Sequence, residues 1–72
     1  MSARARCARR LSSLLSTDTS GHYIRVQYDR PTGRYCVHWT GGPTTARMRE
    51  LAARHADEVP LLDLDDLDWD RK

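Results

Sequence analysis

Two cysteines and three histidines are the residues of this 72-residue chain that could hold a metal ion or attack a substrate. Cys36 and His38, one residue apart, are the closest pair. Structural zinc sites usually show paired CxxC or HxxxH spacing, and a nucleophilic thiolate needs a positioned base in a cleft. The sequence offers neither pattern, so we expect no metal, no cofactor and no enzymatic activity.

Arginines near the start of the chain offer a different chemistry. Four of them fall within two helical turns: Arg4, Arg6, Arg9 and Arg10. Guanidinium groups at this density can contact the phosphates of a nucleic acid, with binding that weakens as salt increases. The alternative is a solvated helix face, and no base-reading motif accompanies the cluster. These four residues are the candidate nucleic-acid-binding site.

Charge is distributed unevenly along the chain. Residues 1–54 carry ten arginines against three acidic residues, whereas residues 57–72 carry seven acidic residues against Arg71 and Lys72. This asymmetry indicates either a polyanionic partner for the basic part or an acidic tail that covers it. We expect the two parts to pair within the molecule, so that the tail moderates whatever the arginines bind.

The first half of the chain predicts a basic helix and a β-hairpin. Apolar residues at helical spacing predict a helix from Ala3 to Leu15, within a segment spanning residues 1–16. Alternating apolar residues on both sides of "DRPTGR" predict a hairpin over residues 22–40. A four-residue loop places Tyr28 opposite Tyr35 and Val26 opposite Val37, which gathers the large apolar side chains on one face. With Tyr28, Tyr35 and Trp39 assigned to the core, only Tyr23 stays available for stacking on a base.

The stretch "WTGGPTTARMREL" predicts a corner between a strand and a second helix. Its glycines allow a sharp turn, Pro43 ends strand pairing, and Thr44 is a suitable N-cap. The helical segment covers residues 44–56, running from about Thr45 to Ala56 with one apolar side toward the sheet. That side comprises Met48, Leu51, Ala52 and His55.

The acidic tail, residues 57–72, contains Leu61, Leu64, Leu67 and Trp69. Full burial of each is worth roughly 1.5–3 kcal/mol. We therefore expect the tail to dock on the core, with Asp63 capping one short turn, although a disordered acidic tail is the alternative. The sequence predicts a single small domain of residues 1–72 in the α+β class, with the order α-β-β-α and a short docked C-terminal turn.

The order of hairpin, "WTGGPT" turn, amphipathic helix and terminal "LDLDDLDWDR" resembles a large polyvalent protein-associated domain. Such domains are small modules within giant proteins of bacteriophages and conjugative elements. Trp39, Gly42, Pro43 and Thr44 match the family's turn, whereas Gly41 stands where an acidic residue is expected. The resemblance covers residues 22–71 and implies no catalytic residue. It implies an accessory protein of mobile-element or phage type that acts through binding.

Taken together, these patterns predict a non-enzymatic interaction module whose hairpin and helix surface binds a macromolecular partner, a protein rather than a nucleic acid. The alternative is a weak, sequence-independent nucleic-acid-binding protein that uses the N-terminal arginines. The hairpin edge could also pair two copies into a homodimer. A single lysine beside many arginines and alanines indicates a bacterial origin, and the lack of a membrane span or signal sequence predicts a cytoplasmic protein.

Overall fold

A computed structural model describes residues 2–72, which form two α-helices and a three-stranded sheet. The helices are α1 (Ala3–Asp18) and α2 (Thr45–Ala53), and the strands are β1 (Arg25–Asp29), β2 (Arg34–Trp39) and β3 (Asp68–Arg71). Two 3-10 turns, Ala56–Glu58 and Leu64–Asp66, lie between α2 and β3. The predicted α+β class and the order helix, hairpin, helix are confirmed.

The hairpin has the register that its apolar pattern predicts. Asp29 is opposite Arg34, Tyr28 is opposite Tyr35 and Val26 is opposite Val37 in the antiparallel pair. Because side chains alternate between the two faces of a strand, this register places Arg25 and Gln27 on the face opposite the core. The polar face of the hairpin is therefore fixed by the same pairing that builds the apolar face.

The tail docks as expected, but it ends in a strand that the sequence did not predict. Asp63 accepts a hydrogen bond from the backbone N–H of Asp65 and caps the second 3-10 turn. Beyond that turn β3 runs parallel to β2, with Trp69 beside Val37, and makes β2 the central strand. A parallel pair needs a long crossover connection, and here α2 and the two 3-10 turns supply it.

Capping side chains define where both helices begin. Ser2 accepts from the N–H of Ala5 at 3.1 Å, and Thr44 accepts from the N–H of Arg47 at 3.1 Å, which confirms Thr44 as the predicted N-cap. Helix α1 runs to Asp18, beyond the predicted Leu15. Helix α2 ends earlier than predicted, at Ala53, since the chain tightens into the 3-10 turn at residue 56. Within residues 2–72 no helix is long and apolar enough to cross a membrane.

Both helices contribute to one hydrophobic core on one face of the sheet. Its members from the strands and helices include Leu11, Leu15, Ile24, Val37, Trp39, Met48 and Leu51, all no more than 4 % exposed. Two predicted core residues are not buried: Tyr28 is 51 % exposed and Leu61 is 50 % exposed. Tyr28 lies next to the hairpin loop, where it packs edge-on against Tyr35. In the tail, Leu62 rather than Leu61 enters the core.

Candidate functional site

The structure divides the four N-terminal arginines among different surroundings. All four are exposed on α1, because Ala8, Leu11 and Leu15 form its buried side. The guanidinium of Arg4 lies 5.2 Å from the centre of the Tyr35 ring, a cation–π contact. Arg10 donates to the Glu58 carboxylate at 3.1 Å. The cluster is therefore not one uniform patch, since Arg4 and Arg10 contact different parts of the chain.

Arg9 lines a groove between α1 and β1 that also contains an arginine from outside the predicted cluster. The groove has a volume of about 320 Å³ and is lined by Arg9, Ser12, Ser13, Arg25, Val26 and Gln27. The Ser12 hydroxyl donates to the carbonyl of Ile24, and this bond ties α1 to the chain just before β1. Two guanidinium groups, two hydroxyls and an amide thus lie around one concavity whose lining contains no carboxylate.

A second, smaller concavity adjoins the first at Arg25. It has a volume of about 220 Å³ and is lined by Tyr23, Arg25, His38, Trp39, Thr40 and Lys72. Tyr23 is 79 % exposed, the most exposed large hydrophobic side chain among residues 2–72. Arg25 lines both concavities and makes no salt bridge within residues 2–72. Its guanidinium is therefore available to a ligand on either side.

The acidic tail neutralises a different part of the basic surface. Arg34 is 3.3 Å from a carboxylate oxygen of Asp66 and 3.1 Å from one of Asp68, and Asp70 is 3.1 Å from Nδ1 of His38. Pairing within the molecule is therefore confirmed. These ion pairs are concentrated along β2 and β3, because the parallel register places the carboxylates of β3 beside β2. Of the four N-terminal arginines, Arg10 is the one whose ion pair with the tail is resolved.

Cys36 and His38 lie on the face of the sheet that the helices leave uncovered. They share a concavity of about 510 Å³ with Gln27, Asp29, Asp68 and Asp70, among others. Burial raises the pKa of the Cys36 thiol above 9.0, and the negative charges of Asp70, Asp68 and Asp29 raise it further. A nucleophilic thiolate needs the opposite shift. Within residues 2–72, no three His, Cys, Asp or Glu side chains are grouped as metal ligands.

His55 holds the ends of the two helices together. Its Nε2 is 2.6 Å from Oδ2 of Asp18, and its Nδ1 is 2.6 Å from Oε2 of Glu58. Hydrogen bonds from Asp18 and then Glu58 raise the pKa of His55, and the bonds from His55 and Arg10 lower the pKa of Glu58. The cluster is structural: it joins α1, the end of α2 and the first 3-10 turn.

The structure thus brings two arginines of different elements together and leaves the predicted cluster incomplete as a site. Arg9 lines the same groove as Arg25, 16 positions later in the chain, while Arg4 contacts the Tyr35 ring and Arg10 pairs with Glu58. Sequence reasoning missed Arg25 in this role. A signal was available in the sequence. Tyr23, Arg25 and Gln27 occupy every second position, so an extended chain places an aromatic ring, a cation and an amide on the same face.

Comparison with known proteins finds no matching family model, no similar curated protein and no similar solved structure.

Proposed function

We propose that this chain is a non-enzymatic interaction module that binds a macromolecular partner through its hairpin and helix surface, with a protein as the first candidate. One observation carries this proposal. The helices pack on one face of the sheet, while the other face bears an open concavity in which three carboxylates and His38 surround the buried Cys36 and the rings of Tyr28 and Trp69. Mixed polar groups around a partly apolar centre are the usual composition of a protein interface.

The wider context is also a proposal. The resemblance of the turn formed by Trp39, Gly42, Pro43 and Thr44 to the polyvalent protein-associated domains supports an accessory protein of mobile-element or phage type. A protein of that type would act in the bacterial cytoplasm. A homodimer paired through the hairpin edge is a competing proposal, and it would use the outer edge of β1 because β3 already occupies the outer edge of β2.

Affinity capture with quantitative mass spectrometry tests the protein-binding proposal. The full chain is compared with an Asp70→Ala variant, which alters the concavity on the uncovered face, and with an Asp57→Ala control, which removes an exposed carboxylate in the first 3-10 turn, outside the hairpin and the two α-helices. We expect one partner to be retained by the native chain and the control and depleted by Asp70→Ala. Equal recovery with all three proteins contradicts the proposal. Thermal melts establish that both variants are folded.

The second candidate is a weak, sequence-independent nucleic-acid-binding protein that uses Arg4, Arg6, Arg9 and Arg10. The observation that favours it is the position of the tail, whose Asp66, Asp68 and Asp70 lie along β2 and β3, while Glu58 pairs with Arg10 of α1. Titration with short DNA and RNA at two salt concentrations tests it. We expect binding at low salt that weakens as salt rises, and no binding at low salt removes this candidate.

A further inference from the structure

We infer that the groove between α1 and β1, together with Tyr23, binds single-stranded nucleic acid, with phosphates at Arg9 and Arg25 and a base on the Tyr23 ring. This inference rests on the second candidate function and names its site and its kind of nucleic acid. It also extends the site beyond the N-terminal cluster, because Arg25 and Tyr23 lie outside that cluster and line the groove and its adjoining concavity.

The lining of the groove matches a phosphodiester backbone. Arg9 comes from a helix and Arg25 from a strand, and both residues line the same concavity. Ser13 and Gln27 add a hydroxyl and an amide that can donate to phosphate or sugar oxygens. No carboxylate lines the groove, so nothing on its walls repels an anion.

Tyr23 extends the groove with a surface for a base. Its ring is 79 % exposed and lines the adjoining concavity with Arg25 and Lys72. Arg25 lines both concavities. A nucleic-acid strand whose phosphate is bound in the groove would therefore place its neighbouring nucleotide beside the Tyr23 ring. An aromatic ring next to cations is the arrangement by which proteins hold single strands without reading sequence.

The exposed ring also favours a single strand over a duplex. Bases in a duplex are stacked on one another, so their faces are not open to Tyr23, whereas a single strand can turn a base onto the ring. Stacking is worth about 1–3 kcal/mol per base, which corresponds to a loss of at least about fivefold in affinity when the ring is removed. We therefore expect the Tyr23 ring to favour the binding of a single strand over that of a duplex.

Charge decides against the other occupants of the groove. A second copy paired along β1 would bring two α1 helices, each bearing Arg6 and Arg9, toward each other, and like charges at close range repel. An extended acidic peptide could lie beside β1 and pair with the arginines, but it would not need the Tyr23 ring. The exposed Tyr23 ring thus favours a nucleic acid over an acidic peptide as the ligand of the groove.

Fluorescence anisotropy with the full chain tests the inference, using a labelled oligothymidylate, an oligouridylate and a DNA duplex at 50 and 200 mM salt, chosen to span the range over which phosphate contacts weaken. We expect the single strands to bind more tightly than the duplex. Tyr23→Ala should weaken single-strand binding at least about fivefold while Tyr23→Phe, which keeps the ring, binds like the native chain. Arg25→Gln should weaken binding and lower the salt slope by about 0.7, with Arg49→Gln as the matched control.

The outcomes separate this inference from the function on which it rests. No binding of any oligonucleotide at 50 mM salt overturns both. The inference is overturned if Arg25→Gln and Arg49→Gln weaken binding equally, or if Tyr23→Ala does not change it. Either result indicates a non-specific nucleic-acid-binding protein that uses α1. Polyglutamate that binds as tightly as oligothymidylate, and is equally insensitive to Tyr23→Ala, assigns the groove to an acidic peptide. Sedimentation showing that the chain dimerises, with the dimer lost when Arg25 is changed, assigns it to a second copy.

Discussion

His55 Nε2 lies 2.6 Å from Oδ2 of Asp18, and this contact joins the C-terminal ends of α1 and α2. The two residues are far apart in the sequence, and their side chains are only 17 % and 28 % exposed. The second nitrogen of the ring contacts Glu58, which also binds Arg10. One imidazole therefore links both helices to the beginning of the tail, and its protonation must affect how firmly they are held.

The stability of the protein should depend on pH through this cluster. The pKa of His55 is raised above 6.5 in the folded state, so its contribution is fully present below pH 6.5 and is lost as pH rises through the raised value. The pKa of Glu58 is lowered below 4.5, so its contribution is present above pH 4.5 and is lost as pH falls through the lowered value. The cluster should stabilise most between about pH 4.5 and 6.5.

Urea unfolding measured from pH 4 to 9 checks this expectation for the native chain and for His55→Gln. The variant should lose the decrease in unfolding free energy that the native chain shows above pH 6.5. His22→Gln is the control, since His22 is exposed and hydrogen-bonds to the carbonyl of Thr19 rather than to a carboxylate. Parallel pH profiles of the native chain and His55→Gln would contradict the role given to this histidine.

Docking of the tail should depend on the ring of Trp69. The ring packs edge-on against Trp39, with centroids 6.4 Å apart, and it contacts the core from β3. Removing a buried tryptophan costs about 3–5 kcal/mol, and Trp69→Ala should fall near the lower end because the ring is only partly buried. Trp69→Phe keeps an aromatic ring and should lose less. Chemical denaturation measures both, and a Trp69→Ala protein as stable as the native chain would contradict the role given to this ring.

The two glycines of the corner after β2 should differ in their tolerance of alanine. Gly41 and Gly42 both have positive φ, +60° and +63°, so alanine is strained at either position by roughly 1–2 kcal/mol. A Cβ on Gly41 would meet no atom within 4 Å, whereas a Cβ on Gly42 would collide with the ring of His22. Gly42→Ala should therefore destabilise more than Gly41→Ala.

A double-mutant cycle with His22→Ala isolates that collision. Once the imidazole is removed, Gly42→Ala should cost about as much as Gly41→Ala, because only the backbone strain remains. If the difference between the two glycine variants persists without His22, the collision is not its cause. Thermal unfolding of the three single variants and of the two double variants that combine His22→Ala with each glycine change provides the comparison.

The thiol of Cys36 should react slowly. Burial and the carboxylates of Asp70, Asp68 and Asp29 raise its pKa above 9.0, so the reactive thiolate is scarce at neutral pH. In a Cys7→Ser background, the rate of alkylation by iodoacetamide should reach half its maximum above pH 9. Asp70→Asn should lower that midpoint, and a midpoint well below 9 in the Cys7→Ser protein would contradict the environment described here.

Local sequence patterns were sufficient for much of this fold. The register that pairs Tyr28 with Tyr35, the N-cap at Thr44 and the buried side of α2 each follow from residues within about ten positions of one another. The third strand was not accessible in this way. The short acidic segment around Trp69 forms a strand only because it pairs with the free edge of β2. The residues that pair lie about 30 positions apart in the sequence.

In the candidate site, too, some features followed from the sequence and others only from the tertiary structure. The sequence placed positive charge on the first helix and left Tyr23 as the exposed aromatic ring, since helical and strand periodicities sort side chains into inner and outer faces before any packing occurs. Only the tertiary structure decided that Arg9 and Arg25 line one groove, that Arg4 lies over the Tyr35 ring and that the acidic tail pairs along β2 and β3. Periodicity is a local property of the chain, whereas the meeting of charges from separate elements depends on how those elements pack.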